Sequence, residues 1–216
     1  MWIFLLFAAI ALAGIIFSAV SANRRKTELA SFARALGLMY AAEADRDLPE
    51  RFADFHPFGE GSGRRASNLL FGGRGEIDWQ IFDYRYTTGS GKDSTTHSVG
   101  VVAARVPVFF AALQIRPEGL FDKIAGALGF PDINFESEAF SRRYHVQCAD
   151  RKLAYDIIHP QMIEYLMTLP PANWQMSGPV ILINKTGVYD PEQIERVMKM
   201  IEGFVLRLPA YVRQDR

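Results

Sequence analysis

The sequence is poor in the residues that announce chemistry. One cysteine, Cys148, stands among 216 residues, so an intrachain disulfide is excluded. The four histidines are scattered at His56, His97, His145 and His159. His145 and Cys148 are three apart, a ligand spacing on a helix, but residues 144–148 alternate as a strand does. Residues three apart on a strand face opposite sides, so no metal site is expected, with His145 at the surface and Cys148 a small core side chain. Net charge is zero, from 24 basic and 24 acidic residues, and the basic excess of a dedicated nucleic-acid binder is missing. There is no G-x-S-x-G nucleophile elbow; Gly61-Ser62-Gly63 falls short of it. Nothing points to a cofactor, and no low-complexity tract or fixed-period repeat is visible.

What the chain does have is a long uncharged start. No charged side chain occurs from residue 1 to 23, and residues 2–20 are almost wholly apolar. About twenty residues at about 1.5 Å each span about 30 Å, the thickness of a bilayer's hydrocarbon core. Arg24, Arg25 and Lys26 follow at once. Cytoplasmic flanks carry the excess of Lys and Arg, so these three set the expected topology: a single-pass anchor in the inner membrane, with the rest of the chain in the cytoplasm. A cleaved signal peptide ending at Val20-Ser21-Ala22 is the competing reading, but the basic n-region is missing and the apolar run is long. The expected organisation is a transmembrane anchor at 1–22, a juxtamembrane helix at 23–37 and a soluble domain at 38–216, with a possible division into two subdomains near 116–130.

Residues 83–97, DYRYTTGSGKDSTTH, raise the question of a phosphate-binding loop. Such a loop needs a helix after it, because the helix N-terminus supplies aligned N–H groups and a favourable dipole. Here strand-like residues 76–86 and 97–106 flank the turn, Tyr86 stands where the first glycine belongs, and Asp93 follows Lys92. The stretch therefore reads as a long hairpin. Its polar tip, with Thr87, Ser90, Lys92 and Ser94, is the candidate binding site, since loops of this length are uncommon unless used or disordered. Asp83 and His97 flank the hairpin and are expected to approach across it. With Glu136 they are the residues a hydrolase reading would use. Glu136 and Glu138 with Arg142 and Arg143 read as a surface ion-pair cluster.

Elsewhere, Leu29, Phe32, Ala33 and Leu36 recur at helical spacing before Gly37. Residues 59–63 and 72–75 read as glycine-rich loops around a short apolar run, 68–71. Residues 117–128 read as a helix, and 174–176 and 180–184 as a hairpin turning at Ser177-Gly178-Pro179. Asp150 and Asp190 read as helix caps, the latter with Pro191 next and Gln193 three residues on. Hairpins mixed with helices, without regular alternation, predict an α+β fold of antiparallel hairpins packed with short helices.

Residues 135–166, FESEAFSRRYHVQCADRKLAYDIIHPQMIEYL, with the hairpin FDYRYTTGSGK, resemble a bacterial family of single-span membrane proteins catalogued only as a domain of unknown function. The resemblance implies bacterial origin and an integral membrane location, and it carries no catalytic residue, substrate or cofactor. The expected function is a non-catalytic module, held at the bilayer, that binds a membrane or cytoplasmic protein or the membrane surface. The alternatives are a hydrolase-type enzyme or a ligand sensor whose site is assembled only in the fold.

Overall fold

A computed structural model describes residues 20–43, 46–119 and 129–214. The expected anchor at 1–22 lies almost entirely outside the described residues, and the expected helix at 117–128 does so from residue 120. Among the described residues no helix is long and apolar enough to cross a membrane.

Helix α1, residues 20–36, stops where the sequence says it should. Gly37 takes φ 73°, and the N–H groups of Gly37 and Leu38 bond back to the carbonyls of Arg34 and Ala33. That pair of bonds closes a helix end through a left-handed residue, which glycine adopts without a Cβ penalty. The chain then enters an antiparallel sheet: β1 (Met39–Glu43), β2 (Ser62–Arg74), β3 (Ile77–Thr88), β4 (Thr95–Pro117), β5 (Tyr144–Cys148) and β6 (Asn173–Thr186). Helices α2 (Glu138–Arg143), α3 (Arg151–Ile157), α4 (Pro160–Thr168), α5 (Pro191–Leu206) and α6 (Ala210–Gln214) complete the α+β architecture.

The organising element is β4, 23 residues long. One edge pairs with β3 along Thr95 to Arg105 and with β5 along Leu113 to Pro117, while the other edge pairs with β6 along both halves. This geometry corrects the expected hairpin at 174–184. Ser177-Gly178-Pro179 does not reverse the chain; β6 runs through it, and irregular register near Phe110 and Gly178 absorbs the misfit. A partner strand as long as β4 supplies hydrogen bonds to both halves, so a local turn signal is overridden. The glycine-rich stretches around 68–71 are corrected likewise: residues 62–74 form the single strand β2, paired to β3.

Both faces of the sheet are covered. All six helices contribute to the larger core, which holds Leu29, Trp79, Leu113, Trp174, Ile201 and Phe204. On the opposite face a smaller aromatic core joins Phe52, Phe55 and Phe58 to Phe82, Tyr84 and Tyr86. The Phe58 and Tyr84 rings lie 4.5 Å apart. Burial of this kind pushes the Tyr84 hydroxyl up to about 12.

Candidate functional site

Arg25, one of the three cations after the apolar run, does not point into solvent. Its guanidinium grips Asp83 on β3 bidentately, with Nε to Oδ2 at 3.0 Å and Nη2 to Oδ1 at 2.8 Å. Nη2 also donates to the Tyr189 carbonyl at 3.0 Å. A planar fork on a carboxylate is the strongest common ion-pair geometry, and here it ties α1 to two other parts of the chain.

The surrounding residues hold this clamp in place. Asn68 has φ 53°, where the register of β2 against β3 slips between Ser67 and Leu70. Asparagine tolerates the left-handed region better than other non-glycine residues, and bulges re-aim side chains. The result is that Asn68 Nδ2 donates to Asp83 Oδ2 at 2.8 Å while its Oδ1 accepts from the Tyr40 hydroxyl at 2.8 Å. Burial, reinforced by the Asp83 charge, raises the Tyr40 hydroxyl above its ordinary value. Across the sheet Asp83 pairs with Gly100, and Gly100 with Lys185. A Cβ on Gly100 would come within 2.7 Å of the Tyr189 ring and 3.0 Å of its backbone nitrogen. The absence of a side chain at Gly100 is therefore what lets the Tyr189 segment lie close enough for its carbonyl to reach Arg25. Lys185 covers the Tyr189 ring, its Nζ 4.9 Å from the centroid.

Beside the clamp opens a cavity of about 570 Å³. Helix α1 lines it with Ser21, Ala22, Arg25 and Lys26, and the sheet contributes Glu43, Arg65, Ser67, Asn68, Asp83 and Arg85. Its four cations face two carboxylates. Arg25 is neutralised by Asp83, and Arg65 by Glu43 at 3.0 Å. Lys26 and Arg85 are exposed and have no ion-pair partner among the described residues, so the hollow is net positive.

The clamp also sets direction. At one end of α1 Arg25 meets Asp83. Past the other end Leu38 lies 3.5 Å from where a Gly72 Cβ would be, and Gly72 pairs with Trp79. Helix α1 thus runs antiparallel to β3, and its N-terminal end points the same way as the β3–β4 hairpin tip.

That tip is a six-residue loop, 89–94, containing the short turn Gly91–Asp93. Thr87 Oγ1 lies 3.3 Å from Thr96 Oγ1, while Ser90, Lys92 and Ser94 are exposed and line none of the cavities described here. A strand follows the loop, as the hairpin reading requires. Asp83 and His97 do not approach each other, contrary to expectation. The tip length fixes the register that pairs Asp83 with Gly100 and His97 with Tyr86, which leaves the two on opposite faces. His97 stacks on Tyr86 at 4.7 Å and meets Thr88 Oγ1 at 2.7 Å. Glu136 borders a separate hollow with Tyr155, His159 and Glu164. Arg143, expected in a surface ion-pair cluster, donates instead to the carbonyls of Met167 and Leu169. Burial raises the Cys148 thiol, which suppresses thiolate character. Among the described residues no group of three or more His, Cys, Asp or Glu could hold a metal ion. Arg24 is exposed.

Sequence reasoning placed Arg25 as a topology signal and Asp83 as a catalytic guess, and it missed that they meet. It missed Asn68, Gly100 and Tyr189 altogether. Asp83 is one of two aspartates in the aromatic strand EIDWQIFDYRY, and no local pattern marks it as the partner of Arg25.

No family model matches the chain, and no curated protein matches it. Among solved structures, the crystal structure of the mycobacterial trehalose monomycolate transport factor A, TtfA, is similar, with TM-score 0.60 and 16% identity. The match covers 85% of this chain and 94% of that one, so the chain shares the fold of TtfA over that span.

Proposed function

We propose that the protein is a non-catalytic accessory factor for transport of an envelope lipid, tethered to the inner membrane by its N-terminal segment with the α+β domain in the cytoplasm. The observation that carries this reading is the fold shared, over 85% of this chain, with a protein described as a trehalose monomycolate transport factor. The groups a hydrolase would need give the enzyme reading no support. Both Asp83 oxygens are engaged by Arg25 and Asn68, His97 lies on the other face, and Glu136 is elsewhere. The anchor explains why α1 is clamped so firmly. A helix leaving a bilayer transmits position to its domain only if the two are fixed together, and Arg25 fixes them across 58 and 164 residues of sequence. Tethering raises the effective concentration at a membrane partner without any new contact.

In-cell crosslinking of the tagged full-length chain, followed by mass spectrometry, tests this reading. The expected result is a near-stoichiometric membrane protein of a lipid-export system. The partner should be lost when residues 1–23 are removed. Retention of nothing above background, or of the same partner without the anchor, would contradict it.

A further inference from the structure

We infer that the hollow beside the clamp is a headgroup pocket for an anionic phospholipid of the bilayer in which the chain is anchored. The inference rests on the membrane-tethered reading above and adds the ligand of this particular site. Three observations converge on it.

The first is charge. Lys26 and Arg85 bring two cations without ion-pair partners among the described residues into one concave space of about 570 Å³. Arg65 and Arg25 stand beside them, already satisfied by carboxylates. A phosphodiester entering there meets two positive charges that no internal carboxylate competes for.

The second is hydrogen bonding. Ser21 of α1 and Ser67 of β2 line the same cavity, together with Ala22, Ala42 and Val188. Polar groups of this kind suit the glycerol and sugar hydroxyls of a headgroup, and the small apolar side chains suit the first carbons beneath it.

The third is depth. Ser21 and Ala22 directly follow the apolar run at 2–20. Lys26 is six positions beyond residue 20, about 9 Å along a helix. The polar region on each side of a bilayer core is about 5–8 Å thick, so the Lys26 backbone comes just beyond it and the long side chain reaches back to the phosphates. Arg85 lies two residues toward the hairpin tip from Asp83 on the same strand, on the same side as Lys26. Cations at that depth are attracted to the anionic lipids of the cytoplasmic leaflet. Lys92, exposed at the hairpin tip, adds to the attraction without lining the pocket.

The test uses full-length protein in vesicles of equal parts phosphatidylglycerol and phosphatidylcholine, with native mass spectrometry reading the lipid that stays bound. The unmodified chain is expected to retain phosphatidylglycerol in preference. Lys26→Gln with Arg85→Gln should lower that preference about thirtyfold, given the attraction each surface cation contributes. Lys26→Arg with Arg85→Lys should keep it, and Arg196→Gln, on the exposed side of α5, should leave it unchanged. A salt titration of the unmodified chain reads the same attraction without any substitution, and the preference should fall as screening sets in. Equal retention by the unmodified chain and the double Gln variant would overturn the assignment, as would a salt-independent preference. If inorganic phosphate displaces the lipid as readily as vesicles restore it, the site is one for soluble anions and the lipid assignment fails. Loss of preference with partner capture intact removes the pocket alone; loss of capture with preference intact removes the transport reading alone. A chain that sediments with neither lipid removes the membrane reading and the pocket with it.

Discussion

Arg25 and Asp83 lie 58 positions apart in sequence and 2.8 Å apart in the fold. The two side chains are 23% and 12% exposed, so the pair is shielded from full solvent screening yet not fully desolvated. Removing the carboxylate leaves Arg25 without its fork and Asn68 without its acceptor, in a setting where buried donors pay the cost of lost partners. Asp83→Ala should therefore destabilise the protein by about 2–3 kcal/mol. In thermal unfolding that corresponds to a fall of about 5–10 °C in Tm for a chain of this size. Asp83→Asn, which keeps the shape and one acceptor, should lose less. A melting curve unchanged by Asp83→Ala would mean that the clamp does not hold α1 to the sheet. None of this was legible in the sequence, because a non-local ion pair leaves no local pattern. Arg25 looks like any juxtamembrane cation, and Asp83 looks like any polar residue in a half-buried strand.

At the scale of elements, what was legible is what is decided locally. Helix α5 carries its own signature: Asp190 accepts from Gln193 N–H at 2.8 Å, the Gln193 side chain returns to the Asp190 N–H, and Pro191 opens the first turn. The end of α1 at Gly37 and the cap at Asp150 were legible for the same reason. The strands β2 and β6 were not, because their continuity comes from partners far away in sequence. Glycine-rich residues become strand when β3 offers them a ladder, and a Ser-Gly-Pro turn signal loses to the length of β4. The segment around His56 is a further case. Its backbone N–H and carbonyl bond to Gln175, and the carbonyl also accepts from Asn184, which strap the aromatic loop onto the sheet. The His56 ring is largely buried, with Nδ1 lacking a partner and Nε2 2.8 Å from Glu60. Burial lowers the His56 pKa and outweighs Glu60, which acts to raise it. The unfolded chain, with His56 near 6.5, therefore binds more protons than the folded one in the window just below that value. Stability contributed by neutral His56 is present above about pH 6.5 and falls as the pH drops toward the folded pKa. Chemical denaturation at a series of pH values should show this fall, and His56→Gln should reduce it. An identical pH dependence in the variant would assign the loss to other groups.

At the scale of the whole molecule, one sheet built around β4 carries every described strand, from β1 to β6. The helix that follows the apolar run is bolted to its larger-core face. The N-terminal end of α1, the positive hollow and the hairpin tip all lie toward one side of the molecule. The fold class was legible because it depends on composition and periodicity. The placement of α1 against the sheet was not, since it depends on the long-range pair between Arg25 and Asp83. The proposed role is that of a part that helps lipid move, not one that changes what the lipid is. Those two roles separate cleanly in cells. Pulse-labelling envelope lipids in cells with and without the protein, then separating inner-membrane from outer-envelope fractions, reads both. The expected result without the protein is an unchanged set of lipid species with one of them held back in the inner membrane. A missing or newly accumulated chemical species, or an unaltered distribution of every lipid, would contradict a non-catalytic role in lipid transport.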